Sequence, residues 1–420
     1  MRSSLAAPGH PRVATVDEIR ARFPALERRH HGQPVAYFDG PGGTQVPRAV
    51  SDAVTDYLLH HNANTHWRYP SSRETDAMLE GAREALADLL GASPGEVAFG
   101  ANMTTLAFHL ARGLGRAWGE SDEIVVTELD HHANIAPWRA LERERGVTVR
   151  VVPIVPEAGQ LDWEALERAL SRRTRLLAIG AASNALGTIT DVARAVGLAR
   201  DAGALTFVDA VHYAPHRLVD VRAIGCDFLA CSAYKFYGPH MGVLYGRAER
   251  LATVDIPKLE PAPDTAPERL ETGTLNHEGI AGAAAAVNFL ASLQSATGSR
   301  RDRLREVYAE LDRRGLALVQ RLLDGLRATP GVRVFGPAAA SARTPTVAFT
   351  LRDRHPDAVA DALAEEAVFV STGDFYAASV VRRYELGSRG GLVRAGCAAY
   401  TTADEVNRLL EGVARLARAG

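Results

Sequence analysis

From residue 95 to residue 246 the chain repeats one theme, in which a short apolar run and a turn are followed by a stretch with helical periodicity. The apolar runs are Val97–Phe99, Glu123–Thr127, Val147–Pro153, Leu176–Gly180, Leu205–Val208, Phe228–Cys231 and Val243–Tyr245. Each has strand length and few polar interruptions, the pattern of strands covered on both faces. Helical patterns at Thr104–Leu114, Trp163–Leu170 and Asp191–Asp201 fall between them. Few folds accommodate this alternation. It predicts a doubly wound α/β domain around a seven-stranded, mostly parallel sheet.

The rest of the chain divides around that block. Residues 1 to about 12 read as a loose tail and Val16–Phe23 as a short amphipathic helix, giving an N-terminal unit of residues 1–30. The large domain is expected at residues 31–278, with a Pro-rich polar loop from Leu251 to about Arg269. Gly279–Ala296 and Arg303–Arg327 are long helical patterns, Ala-rich and then charge-laced, and they open a unit of residues 279–420. Strands at Val332–Phe335, Thr346–Leu351, Val368–Ser371 and Gly391–Ala395, with helices at Asp357–Glu365 and Thr402–Ala417, predict a smaller α+β domain there.

A chain of 420 residues that is 46% hydrophobic can bury a large core. Its formal net charge of −2 gives no reason to expect nucleic acid or a membrane surface. Cys226, Cys231 and Cys397 form neither a CxxC pair nor a disulfide framework, which fits a reducing cytoplasm. The first residues lack the apolar core of a signal peptide, and no run reaches the roughly 18 apolar residues of a membrane span. A soluble, cytoplasmic protein is expected.

The run from Asp227 to Gly246 places Lys235 in a stretch otherwise almost empty of charge. A buried lysine loses hydration that apolar walls cannot replace, so burial depresses its pKa and favours the neutral amine that carbonyl addition needs. Taken alone, the run equally fits a lysine snorkelling from a strand end. Upstream, Ala204–Val208 is an apolar strand that ends in the carboxylate of Asp209. A Schiff-base lysine and an aspartate at the C-terminal end of a strand are what pyridoxal phosphate (PLP) requires. The lysine holds the aldehyde, and the aspartate keeps the pyridine nitrogen protonated.

With these two segments the chain resembles the class V aminotransferase family of fold-type I PLP enzymes, from about Tyr37 to the C-terminus. Phe38-Asp-Gly-Pro-Gly-Gly-Thr-Gln-Val-Pro47 and Leu129-Asp-His-His-Ala-Asn-Ile-Ala-Pro-Trp138 are most similar to its cysteine desulfurase-like branch. The resemblance implies a PLP-dependent lyase or transferase acting on a small amino acid. It also implies roles for particular residues. Asn102, Met103 and Thr104 occupy the phosphate-binding turn, where a small-residue loop opens a helix whose free N–H groups suit a phosphate dianion. Alone, that segment would be an ordinary N-capped helix. Ser232 would add a hydroxyl, while Tyr234 replaces a histidine common among desulfurases.

His131 matches the histidine that stacks on the pyridine ring, from where an imidazole can also relay protons. The adjacent pair His131–His132 suggests no metal site, because neighbouring side chains point apart. His60 and His61 read as surface, whereas Asn64 and His66 match a segment lining the active-site mouth. Asn184 corresponds to the residue that hydrogen-bonds the cofactor's phenolic oxygen, and His212 stands where desulfurases usually have glutamine. Arg394, flanked by Val and Ala, matches the clamp for the substrate's α-carboxylate, a natural task for a bidentate guanidinium. The segment Glu271–Gly279 matches one that reaches the partner subunit's phosphate through Thr274 and His277, implying a homodimer with composite sites.

One departure from the family falls at Val370-Ser-Thr-Gly-Asp-Phe-Tyr-Ala377. The matching desulfurase segment carries an arginine before Thr-Gly and then the cysteine that takes sulfur as a persulfide. Here those positions hold Ser371 and Tyr376, and Cys397, three residues past Arg394, is expected on the opposite strand face. The reading is therefore desulfurase-like β-elimination or C–S lyase chemistry without a persulfide cysteine. An aminotransferase or amino-acid epimerase of the same fold is the alternative.

Overall fold

A computed structural model describes residues 12–419; the expected tail up to about residue 12 lies almost wholly outside them. Seven strands form the large sheet. In chain order they are β1 (Val97–Gly100), β2 (Glu123–Thr127), β3 (Thr148–Val152), β4 (Thr174–Gly180), β5 (Leu205–Asp209), β6 (Phe228–Ser232) and β7 (Gly242–Gly246). Their spatial order is β1-β7-β6-β5-β4-β2-β3, and only β7 runs against the others. The expected strands are all present, to within one or two residues at their ends.

Period-two alternation explains why these runs read as continuously apolar. Phe207, Phe228, Ala230 and Leu244 enter the core on one face of the sheet. Their neighbours Val208, Leu229, Cys231, Val243 and Tyr245 enter the core on the other. Helices Met103–Leu114 and Ala136–Arg145 cover the first face, while Pro70–Leu90, Val192–Ala202 and His277–Ala291 cover the second.

Four antiparallel strands form the small sheet: β8 (Val332–Phe335), β9 (Thr346–Leu351), β10 (Ser371–Gly373) and β11 (Leu392–Gly396), in the order β8-β9-β11-β10. Helices Pro356–Glu365 and Ala403–Arg418 pack on it. The segment expected as one strand, Val368–Ser371, is split between two sheets. Val368–Phe369 pairs in parallel with Ala36–Tyr37, and Ser371 begins β10.

The two cores interleave more than the sequence division suggests. Ala36 and Phe38, placed with the large domain on sequence, are buried in the small core through that pairing. The helix His277–Ala291, placed with the C-terminal unit, buries Ile280, Ala283 and Val287 in the large core. Helix Arg300–Ala328 serves both, with Leu304, Val307 and Tyr308 in the large core and Val319, Leu322 and Leu326 in the small one. The stretch expected as a polar loop begins inside a helix, Ala248–Thr253. The N-terminal helix is shorter than expected, Val16–Arg20, capped by Thr15 in a reciprocal box with Glu18. No described helix is long and apolar enough to cross a membrane.

Candidate active site

The parallel strands of the large sheet end along one edge, the edge at which open α/β sheets bind ligands. There Asp209 lies level with Gly180 and Ala230, and Ser232 level with Gly242, which in turn faces Gly100. Above this row lies a cavity of about 520 Å³, within the usual range for a cofactor-sized ligand. Its wall includes Asn102, Met103, Thr104, His131, Asn184, Asp209, His212, Ser232 and Lys235, so sequence-distant candidates meet in one place.

Lys235 closes a 3-10 turn, Ala233–Lys235, directly after β6. Its Nζ donates to the carbonyl oxygens of Pro41 and Gly42, the latter at 3.0 Å. Burial lowers its pKa to about 7, helped by the nearby guanidinium of Arg394 and opposed by Asp209. Asp209 ends β5, and its Oδ1 accepts the Val211 N–H at 2.8 Å. Burial raises its pKa to about 6. A second buried carboxyl, Asp130, is held well above the ordinary range by burial and by the charge of Asp209. It accepts from the Thr127 hydroxyl at 3.1 Å and from the Gly180 N–H.

The small-residue turn after β1 becomes the N-terminus of helix Met103–Leu114. Asn102 caps it, with Oδ1 accepting the Thr105 N–H at 2.9 Å, while the Met103 N–H reaches Ser232 Oγ at 3.0 Å. Gly242 makes this approach possible. A Cβ there would stand 2.5 Å from the Asn102 carbonyl carbon, so only a bare Cα lets the turn press against β7. His131 Nδ1 accepts the Ala133 N–H at 3.0 Å, and burial with the cations of Lys235 and Arg394 pulls its pKa to about 4. Its imidazole is neutral. His212 is held far below its ordinary value, by burial first and then by His216. Its Nε2 lies 3.1 Å from Thr344 Oγ1 and 3.2 Å from Thr346 Oγ1, leaving Nδ1 buried without a partner.

Arg394 is buried on β11, level with Ser371 of β10. Burial lowers its pKa to about 9, opposed by the carboxylate of Asp39. Nη1 donates to the Asn184 carbonyl at 2.9 Å, Nε has no partner, and the Phe375 ring lies over the guanidinium with its centroid 4.0 Å from Cζ. Asn184 also donates through Nδ2 to the Phe375 carbonyl at 2.8 Å, and its Oδ1 is unpartnered. Phe375 and Tyr376 both occupy left-handed backbone, φ 55° and 57°, at about 1–2 kcal/mol each. Four hydrogen bonds meet that cost: Asn184 to Phe375 O, His132 N–H to Tyr376 O, Tyr376 N–H to Asp374 Oδ1, and Ala377 N–H to Asp374 O. At about 0.5–1.5 kcal/mol net apiece, they are sufficient to hold the turn.

Arg394, though it donates to Asn184, is not part of this cavity's wall, and four other expected residues stand apart from it within the single chain. Asn64 and His66 lie on an exposed segment, His66 with φ 67° and its N–H 3.2 Å from both carboxylate oxygens of Asp76. Thr274 is exposed, and His277 is buried with Nδ1 3.0 Å from the Tyr57 hydroxyl. Sequence reasoning did not single out Asp39, the Pro41 and Gly42 carbonyls, Asp130, Phe375 or His240, whose ring stacks on Tyr234 at 4.9 Å. Most of these lie inside motifs used for the family resemblance. Their roles arise from chain crossings that spacing does not reveal.

The amine of Lys235, the carboxyl of Asp209, the cradle opened by Gly242 and the partnerless atoms of Asn184 and His212 fit PLP, and the fold is that of the fold-type I PLP enzymes. The chain belongs to the class V aminotransferase family, whose family model, Aminotransferase class-V, matches residues 36–409. A cysteine desulfurase of Klebsiella pneumoniae (strain 342) is 35% identical over 422 residues, spanning 96% of this chain and 98% of its own length. A cysteine desulfurase of Dickeya dadantii (strain 3937) is 34% identical over 419 residues, with 96% and 97% covered. Among solved structures, an apo cysteine desulfurase of Thermococcus onnurineus NA1 aligns with a TM-score of 0.87 at 28% identity, covering 99% of this chain and all of its own. The Escherichia coli cysteine desulfurase CsdA, as its S-sulfonic acid, gives 0.84 at 28% identity, with 97% and 100% covered. The protein is a PLP-dependent enzyme of cysteine desulfurase-like type.

Proposed function

We propose that this enzyme acts on a small, neutral amino acid by β-elimination or C–S lyase chemistry and stores no sulfur on a cysteine of its own. The observation that carries this reading is the turn at residues 374–377, where Phe375 and Tyr376 stand in place of a swinging thiol. All three cysteines are buried, and burial pushes each thiol up to about 12. Such thiols are inert, because the thiolate is the reactive form. Cys397 packs in the small core, away from the Arg394 guanidinium.

PLP, when bound, supplies the electron sink for carbanion character at Cα. The chain's own residues do the rest. Asp209 would meet the ring nitrogen, and the helix start at Asn102–Thr104 with Ser232 would hold the phosphate. Asn184 and His212 would face the phenolic oxygen, and His131 would pack on the ring. Arg394 would hold the substrate carboxylate, and Lys235 would carry the cofactor and move the Cα proton. With cysteine as substrate, one water would be consumed, giving pyruvate, ammonia and sulfide.

The same reading includes a homodimer. Leu59 and Trp67 are 71% and 60% exposed, with Leu58 and Tyr69 beside them. Tyr57 ties this apolar stretch to the helix that His277 begins. Glu271, paired with Arg83 at 2.7 Å, anchors the exposed Thr272–Thr274 next to it. An apolar patch of this kind suits a subunit interface, and it would carry Thr274, His277, Asn64 and His66 toward a neighbouring site. An amino-acid panel with pyruvate, sulfide, keto-acid and racemisation readouts tests the chemistry. Pyruvate with sulfide is expected from cysteine. A keto acid formed with stoichiometric amino transfer, or racemisation alone, would move the enzyme to the transferases or epimerases.

A further inference from the structure

Arg394 is held on two sides. Its Nη1 is committed to the Asn184 carbonyl, and one face of the guanidinium lies under the Phe375 ring, 4.0 Å from centroid to Cζ. What remains open is an edge. Nε is buried with no partner, and Nη2 points toward Gly42, where an added Cβ would come within 3.6 Å. A carboxylate binds guanidinium edge-on and in plane, through two parallel N–H groups. The Nε–Nη2 edge is therefore the one that can receive it.

Asn184 makes the arrangement rigid. Its main-chain oxygen takes the guanidinium, and its side-chain amide takes the carbonyl of Phe375. Ring and cation are thus referred to the same residue. The strained left-handed pair Phe375–Tyr376 exists in a turn fixed by hydrogen bonds to Asp374 and His132 as well, and strain kept this way is characteristic of functional sites.

We propose that Phe375 is a positioning residue for α-carboxylate recognition. It stacks the guanidinium flat, so that the Nε–Nη2 edge is pre-aimed at the substrate, and it keeps water off the covered face. This rests on Arg394 being the carboxylate clamp. Without the ring, Arg394 would keep its charge and lose its fixed plane. Affinity for carboxylate-bearing ligands would fall, while affinity for plain amines would not.

The test uses PLP-loaded enzyme and follows the cofactor absorbance during titration with L-alanine and with ethylamine, its carboxylate-free counterpart. Phe375→Ala should weaken L-alanine by about 3- to 30-fold, the range expected for a desolvated cation–π contact. Ethylamine should bind as before. Phe375→Tyr and Phe375→Trp should restore L-alanine affinity, and Phe375→Leu, apolar but without a π face, should not. On the best substrate, KM should rise with kcat nearly unchanged. Equal weakening of both ligands, or full rescue by Phe375→Leu, would make Phe375 a packing residue and overturn the proposal. Arg394→Gln separates the two levels. If it spares L-alanine, the clamp itself is wrong. If it weakens L-alanine while Phe375→Ala does not, only the positioning role falls.

Discussion

The guanidinium of Arg394 depresses the pKa of Lys235, although the two residues belong to different domains, one at the end of a large-sheet strand and the other inside the small sheet. The amine's availability is therefore set jointly by its own burial and by a charge from across the domain boundary.

This has a measurable pH signature in cofactor-free protein. The folded pKa of Lys235, about 7, lies below its ordinary value of 10.5. Between those values the unfolded chain holds a proton that the folded chain does not, so this residue's contribution to stability rises with pH across that window. Thermal melts of wild type minus Lys235→Met should show that rise from about pH 7 upward. Arg394→Gln removes one cause of the depression and should shift the window to higher pH. An unmoved window would mean that burial alone sets it.

Lys235 should carry the cofactor covalently. Purified protein should be yellow, and borohydride should fix the cofactor on the Lys235 peptide, read by mass spectrometry. Lys235→Ala should lose the native absorbance band and essentially all turnover. Label on any other lysine would displace Lys235 from its role.

Gly242→Ala should loosen the phosphate cradle. The new Cβ would meet backbone atoms of Asn102 at 2.5–2.8 Å, which cannot swing aside as a side chain can. Overpacking of this kind costs about 1–3 kcal/mol. PLP affinity should fall about tenfold or more by equilibrium titration, with secondary structure retained by circular dichroism. Unchanged affinity would show that the turn can retreat without loss.

The triple variant Cys226→Ala, Cys231→Ala, Cys397→Ala should keep turnover on the best panel substrate, because none of these thiols is exposed or acidic. Loss of activity traced to Cys397 alone, with a persulfide trapped there, would return the enzyme to persulfide chemistry.

Leu59→Asp should shift the protein toward monomer in sedimentation velocity and lower both cofactor retention and activity. The charge would fall at the centre of the exposed apolar stretch. A wild type that sediments as a fully active monomer would remove the composite site.

The sheet was legible because its strands are apolar on both faces, and Asp209 and Lys235 stood out only as a pair, a carboxylate and an amine each closing an apolar strand, since the lysine alone equally fits a snorkelling side chain. The long helix Pro70–Leu90 escaped the argument from alternation. Its limits are nevertheless marked, by Pro70 at the first turn and Gly91 in left-handed backbone at φ 71°. Its buried face opens on Ser72 and Thr75 and mixes alanines with its leucines, which blunts the apolar period. Asp39, Gly42 and Phe375 could not be read at all. Asp39 and Gly42 matter because the chain returns from more than a hundred residues away to meet Arg394 and Lys235, and Phe375 because the turn after β10 folds back over Arg394; no local pattern encodes these meetings.

Helix Arg300–Ala328 buries Leu304, Val307 and Tyr308 with one sheet and Val319, Leu322 and Leu326 with the other, without a break at Gly315, where the two halves meet. Cutting the chain there would strand an apolar half-helix on either fragment. The shared helix couples the two architectural units, so neither should melt without stripping the other's wall, and calorimetry of the apo chain should show one transition rather than two.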